Sequence, residues 1–114
     1  MAQKEKPLDR GDLIIIDFDP QAGTEIMKRR PALVISPKLY NEKSPKIICC
    51  PITSKIKLHD PWQVVLPKES KIKGAVLSDQ MKSMDWRVRK AKKVDAISDN
   101  LMEEVLARIA TLVT

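Results

Sequence analysis

The residues able to do chemistry in this chain are few, and arginine leads them. Arg29 and Arg30 stand side by side, shortly after Glu25 and directly before Pro31, and Thr53 and Ser54 follow Pro51-Ile52. His59 is the only histidine, set among Lys, Asp and Pro, so a histidine acid–base pair within one chain is impossible. No nucleophile elbow, glycine-rich phosphate loop, paired-histidine metal motif or calcium loop is present. Cys49 and Cys50 are adjacent and lack the C-x-x-C spacing of zinc sites, so they read as free, core-filling thiols. Side chains alternate along a strand, so one of the two is expected to face inward and the other not. Any hydrolysis must therefore run without the usual metal site, on Arg, Glu, Asp, Ser and Thr.

One reaction suits that set. In RNA the 2′-hydroxyl beside each phosphate is a built-in nucleophile, so the protein need only align it, stabilise charge on the phosphoryl oxygens and help to move two protons. An arginine fork binds phosphate bidentately and keeps its charge at neutral pH. A threonine hydroxyl can donate to a non-bridging oxygen, and a nearby carboxylate such as Glu25 can orient the arginine or accept a proton. Arg30 begins one apolar segment and Thr53 ends another, so the two share a rim only if those segments are neighbouring strands. The same residues have a plainer reading, with Arg30 in a surface ion pair with Glu25 and Thr53 in a turn.

The elements that must position them are short. Apolar, β-branched runs at 13–16, 31–36, 47–51, 62–66 and 74–77 predict strands, and the Lys-rich stretch 90–97 predicts an edge strand. Asp19-Pro20 and Gly23 mark a loop between the first two strands, and Pro31 biases Arg30 towards extended backbone. Residues 36–43 suit one short helical turn with Ser36 as cap. From about Ser98 the period changes: Leu101, Val105, Ile109 and Leu112 fall on one helical face. Ser98, Asp99 and Asn100 are all cap candidates, Asn100 with Glu103 as a weak capping arrangement, and Glu104 faces Arg108 one turn on. Short strands with one terminal helix imply a mainly β fold, a strongly bent sheet or small barrel.

Length and charge agree with this scale. The chain has 114 residues and a formal net charge of +6. One domain over 1–114 is expected, with residues 1–9 flexible. The basic balance favours a polyanion, either nucleic acid or an acidic protein segment. Lys4, Glu5 and Lys6 exclude a signal peptide, and no apolar run approaches the roughly 20 residues that span a bilayer, which implies a soluble, cytoplasmic protein without a membrane partner.

An ordered set of short motifs then stands out. Arg10-Gly11-Asp12-Leu13, Asp17-Phe18-Asp19-Pro20, Gly23-Thr24-Glu25 and Arg30-Pro31-Ala32-Leu33-Val34-Ile35-Ser36-Pro37 are followed by Tyr40-Asn41 and Pro51-Ile52-Thr53-Ser54. Leu77-Ser78-Asp79-Gln80-Met81-Lys82-Ser83, Trp86-Arg87 and the C-terminal helix complete it. Together they closely resemble the MazF/PemK family of toxin endoribonucleases of type II toxin–antitoxin systems. The resemblance implies an SH3-like, plasmid-maintenance-toxin barrel with a C-terminal helix, assembled as a homodimer. It implies metal- and cofactor-independent cleavage of single-stranded RNA, often mRNA at short sequences, leaving 2′,3′-cyclic phosphate and 5′-hydroxyl ends. It also implies inhibition by a cognate acidic antitoxin. By position, the catalytic roles fall on Arg30 and Thr53, with Glu25 as helper. RNA contacts fall on Asp79 and Gln80, and more weakly on Phe18 and Ser54, with the cations Arg29 and Lys82 adding to the RNA-binding surface. Two rival functions share these features: a gyrase-poisoning toxin of the same fold, and a non-catalytic RNA-binding module.

Overall fold

The computed structural model describes residues 6–18 and 29–114. β1 (Asp12–Asp17) is apolar through Leu13–Ile16 because the sheet buries both of its faces. Leu13 points into a first core, which holds Leu33, Cys50, Ile52, Val64 and Val76 and is covered by Met102, Val105 and Ile109. Ile14 and Ile16 point into a second core with Ala32, Val34, Ile47, Cys49, Met84 and Trp86, closed at one end by Leu8. Each Ile, Leu or Val so buried contributes roughly 1.5–3 kcal/mol. This two-sided burial also decides the cysteines. Cys49 enters the second core and Cys50 the first, and both are fully buried, whereas alternation over a single core implied one outward thiol.

β1 pairs antiparallel with β2 (Arg29–Val34), which pairs antiparallel with β3 (Lys46–Thr53). A six-residue helix, α1 (Lys38–Lys43), lies between β2 and β3. Pro37, not Ser36, is its N-cap. The Ser36 hydroxyl is engaged elsewhere: it accepts the Ile48 amide at 2.9 Å and donates to Asn41 Oδ1 at 2.6 Å. Asn41 is fully buried, and its amide donates to the Leu8 and Ser36 carbonyls.

Beyond β3 come β4 (Gln63–Val65), β5 (Ala75–Leu77), β6 (Lys82–Asp85) and β7 (Lys92–Ala96). The hydrogen-bonded order is β4-β5-β3-β2-β1-β7, with β6 paired to β3 off this path. One edge of β3 thus carries β5 at Ile52 and Thr53 and β6 at Lys46–Cys49. β4 and β7 do not pair among the described residues, so the bent sheet is barrel-like and open. β6 was not foreseen: of Lys-Ser-Met-Asp only Met84 is buried, which leaves almost no apolar signal.

α2 (Asp99–Val113) closes the fold as its period predicted. Ser98 is the cap, its hydroxyl accepting the Leu101 amide at 3.1 Å, rather than the arrangement built on Asn100. Its buried residues are Met102, Val105 and Ile109, while Leu112 remains 48% exposed. Arg108 and Glu104 form the expected i,i+4 pair at 3.8 Å. Neither helix is long and apolar enough to cross a membrane.

Candidate active site

The condition attached to Arg30 and Thr53 is met: β2 and β3 are adjacent. Ala32 lies opposite Pro51 at the end of the β2–β3 ladder, and Arg30 and Thr53 each lie two residues beyond that pair. Alternation puts both on the face that carries Ala32, Val34 and Cys49, beyond the end of the second core. There they line an open cavity of about 360 Å³ with Pro31, Ile52, Ser54, Lys55 and Lys73. Arg30 is exposed, and its guanidinium has no hydrogen-bond or ion-pair partner among the described residues.

Arg29 behaves differently. It faces the opposite side of β2, where Nη1 pairs with Asp17 Oδ1 at 3.0 Å. Nη2 donates to the Lys90 carbonyl at 2.9 Å and the Ile15 carbonyl at 3.3 Å. Arg89 supports the same corner, donating to the carbonyls of Asp17 and Phe18 at 3.1 and 2.6 Å. Arg29 and Arg89 therefore fasten the end of β1 to the start of β2 and to the turn before β7.

Thr53 is held from two sides. The Lys55 amide donates to Thr53 Oγ1 at 3.0 Å, occupying acceptor capacity and leaving the hydroxyl proton available for an outside acceptor. Gly74 sits against the Thr53 backbone at φ +128°, where any Cβ would overlap the Thr53 carbonyl. A side chain is excluded there both by the backbone conformation and by the close approach.

The cavity is cationic. Arg30, Lys55 and Lys73 line it, and none of its described lining residues is acidic. Lys55 and Lys73 were not singled out from sequence. Lys73 is distant in the chain, and only the seating of Gly74 on Thr53 brings it here.

The other expected site residues are dispersed. Ser54 is exposed in the cavity wall. Phe18 packs on the second core and does not line the cavity. Asp79 and Gln80 are exposed on the turn from β5 to β6, along the edge of β3 away from β2, where the Gln80 amide donates to the Leu77 carbonyl. Lys82 lies opposite Cys49 on that edge, also outside the cavity. Glu25 and the rest of the loop from Asp19 to Lys28 lie outside the described residues.

The thiols take no part. Burial pushes Cys49 up to about 11, against the opposing pull of Lys82 and Arg89. Burial, then Cys49 and Asp79, pushes Cys50 up to about 12. Both are neutral at physiological pH and inert as nucleophiles. Among the described residues no three His, Cys, Asp or Glu side chains gather into a metal-binding group.

A bent antiparallel sheet with a C-terminal helix, and an exposed arginine sharing a basic cavity with a threonine, define a class that comparison with known proteins makes specific. Residues 9–113 match the family described as PemK-like, MazF-like toxin of type II toxin–antitoxin system, and the chain belongs to that family. Endoribonuclease toxin MazF of Escherichia coli K12 is 40% identical over 105 residues, covering 92% of this chain and 93% of the relative. Endoribonuclease toxin ChpB of the same strain is 32% identical over 114 residues, covering 96% and 97%. The crystal structure of MazF from Deinococcus radiodurans superposes with a TM-score of 0.83 at 38% identity, covering 95% of this chain and 97% of that one. A MazE–MazF structure from the same organism also gives 0.83, at 33% identity and coverages of 95% and 96%.

Proposed function

We propose that this chain is the toxin of a type II toxin–antitoxin system and a metal-independent endoribonuclease acting on single-stranded RNA, mRNA included. The observation that carries the reading is that Arg30, without a partner among the described residues, shares a cavity with Thr53, further cations and no described acidic residue. The endoribonuclease names of the relatives support it.

In the reaction the RNA 2′-oxygen forms a bond to the adjacent phosphorus, and the bond from phosphorus to the 5′-oxygen breaks. The products are a 2′,3′-cyclic phosphate and a 5′-hydroxyl. The proton of the 2′-hydroxyl leaves to a base, a role that suits Glu25 or solvent, and the departing 5′-oxygen gains a proton. Arg30 binds the non-bridging oxygens and stabilises their growing charge, and the Thr53 hydroxyl donates to one of them. Arg30 also stands ready to deliver the proton to the leaving oxygen. Asp79, Gln80, Ser54 and Phe18 extend the RNA-binding surface, with Arg29 and Lys82 adding positive charge to it.

The toxin acts in the cytoplasm as a homodimer. Its antitoxin carries an acidic, largely disordered segment attracted to the basic surface, which folds as it covers the RNA groove. MazE–MazF complexes among the structural relatives support such a partner.

The test is incubation of the purified protein with a defined long RNA in EDTA, followed by mapping of the cut sites and end groups. Discrete cuts with cyclic phosphate and 5′-hydroxyl ends are expected, abolished by Arg30→Ala. Intact RNA beside inhibited gyrase supercoiling, or RNA bound without product, would overturn the reading.

A further inference from the structure

Three cations are more than one scissile phosphate requires. Arg30 alone can satisfy two non-bridging oxygens with its fork. Lys55 and Lys73 line the same cavity from the other side of Thr53, one just beyond β3 and the other just before β5. Lys73 is the better fixed of the two. Its Nζ donates to the Lys68 carbonyl at 2.6 Å, which anchors the ammonium and leaves two of its three N–H groups for a ligand. Its backbone position is fixed as well: the next residue, Gly74, lies directly against the Thr53 carbonyl, and the Gly74 carbonyl accepts the Leu66 amide at 2.9 Å. The ammonium is thus preorganised on the same support that holds Thr53.

We propose that Lys73 is a substrate-binding residue for a second RNA phosphate, one flanking the phosphate that Arg30 and Thr53 engage. This rests on the proposed nuclease reading. Lys73 acts in binding rather than in the chemical step, because its charge serves a phosphate that does not react. Lys55 lies at the same wall, but the described structure shows no bond fixing its ammonium, so its contribution is the smaller.

The experiment uses an RNA whose cut site has been mapped with the wild-type protein. Short RNAs spanning that site are made with a neutral methylphosphonate at each flanking phosphate in turn. They are assayed with wild type and with Lys73→Gln, which keeps a polar N–H donor but lacks the charge. For unmodified RNA, Lys73→Gln raises KM about five- to tenfold and leaves kcat within twofold, in line with a solvent-accessible charge contact of about 1 kcal/mol. At one flanking position the methylphosphonate raises the wild-type KM by a similar factor yet leaves the KM of Lys73→Gln unchanged. The effects fail to multiply because both changes remove one contact. The dependence of log kcat/KM on log salt becomes shallower by about 0.7 for the variant, the value for one single-strand phosphate contact. A KM unaffected by Lys73→Gln, or effects that multiply at every flanking position, would overturn the assignment. Absence of cleavage by wild type would instead overturn the nuclease reading beneath it.

Discussion

Arg29 and Arg30 are consecutive residues that project from opposite faces of β2, and among the described residues Arg29 is paired and Arg30 is not. Its partner is Asp17, directly across the β1–β2 ladder, at 3.0 Å, whereas Arg30 shares a cavity with Thr53 and has no partner among the described residues. Two adjacent cations of one type thereby meet different surroundings. Arg29 fastens a strand end, and Arg30 lines a cavity with Lys55 and Lys73.

Different readouts separate them. Arg29→Ala lowers unfolding free energy by about 1 kcal/mol, through loss of a half-exposed ion pair and two carbonyl contacts. Arg30→Ala changes stability by less than about 0.5 kcal/mol, as expected of an exposed side chain without partners among the described residues, while cleavage falls below detection. Urea unfolding beside an RNA cleavage assay checks both, and the opposite ranking of the two stabilities would refute the division.

Thr53 carries a second prediction. Its hydroxyl accepts from the Lys55 amide and keeps its proton free to donate. Thr53→Ala should reduce kcat on the order of a hundred- to a thousandfold, the usual effect of removing one preorganised donor. Thr53→Ser keeps both the acceptor and the donor and should retain most of the activity. If serine were as inactive as alanine, the methyl group and not the hydroxyl would be the functional part.

Much of this was legible in the sequence, for identifiable reasons. β1, β2 and the helix announced themselves because Leu13–Ile16, Pro31–Ile35 and the Leu101/Val105/Ile109 period are dense in apolar residues. The strand that carries Arg30 was marked by Pro31 and the apolar run after it, and its adjacency to β3 needed only a hairpin-like return through α1. Three things were hidden. β6 has a single buried residue, so its pairing with β3 leaves no periodic trace. The burial of both cysteines depends on a second core, assembled from Leu8, Met84 and Trp86 at widely separated positions. Lys73 reaches the cavity only through the tertiary approach of Gly74 to Thr53, which no local pattern encodes.

Gly74 should accordingly tolerate no side chain. At φ +128° an L-residue is strained by about 1–3 kcal/mol, and its Cβ must displace the Thr53 carbonyl. Gly74→Ala is expected to lower stability by at least that amount. It should also reduce kcat, because the strand end carrying Thr53 shifts out of line with Arg30. A lowered melting temperature with undiminished kcat, measured well below the transition, would show that Thr53 is positioned independently of this contact.

The buried thiols give the protein an alkaline limit. Cys49 and Cys50 rise from an ordinary 9.0 to about 11 and about 12, with burial as the main cause of each. Below pH 9 both are protonated whether the chain is folded or not, and their contribution is fully present. Between pH 9 and 11 the unfolded chain releases these protons while the folded chain keeps them. The unfolded state then binds fewer protons, so stability falls as pH rises, and the contribution is gone once pH passes the folded values. Each thiol adds a slope of up to about 1.4 kcal/mol per pH unit in that window. Urea titrations of wild type and a Cys49→Ala/Cys50→Ala variant should therefore run parallel from pH 7 to 8.5. They should converge above pH 9.5, as wild type loses stability faster. Curves that stay parallel to pH 11 would mean that the folded protein ionises these thiols as readily as the unfolded chain does.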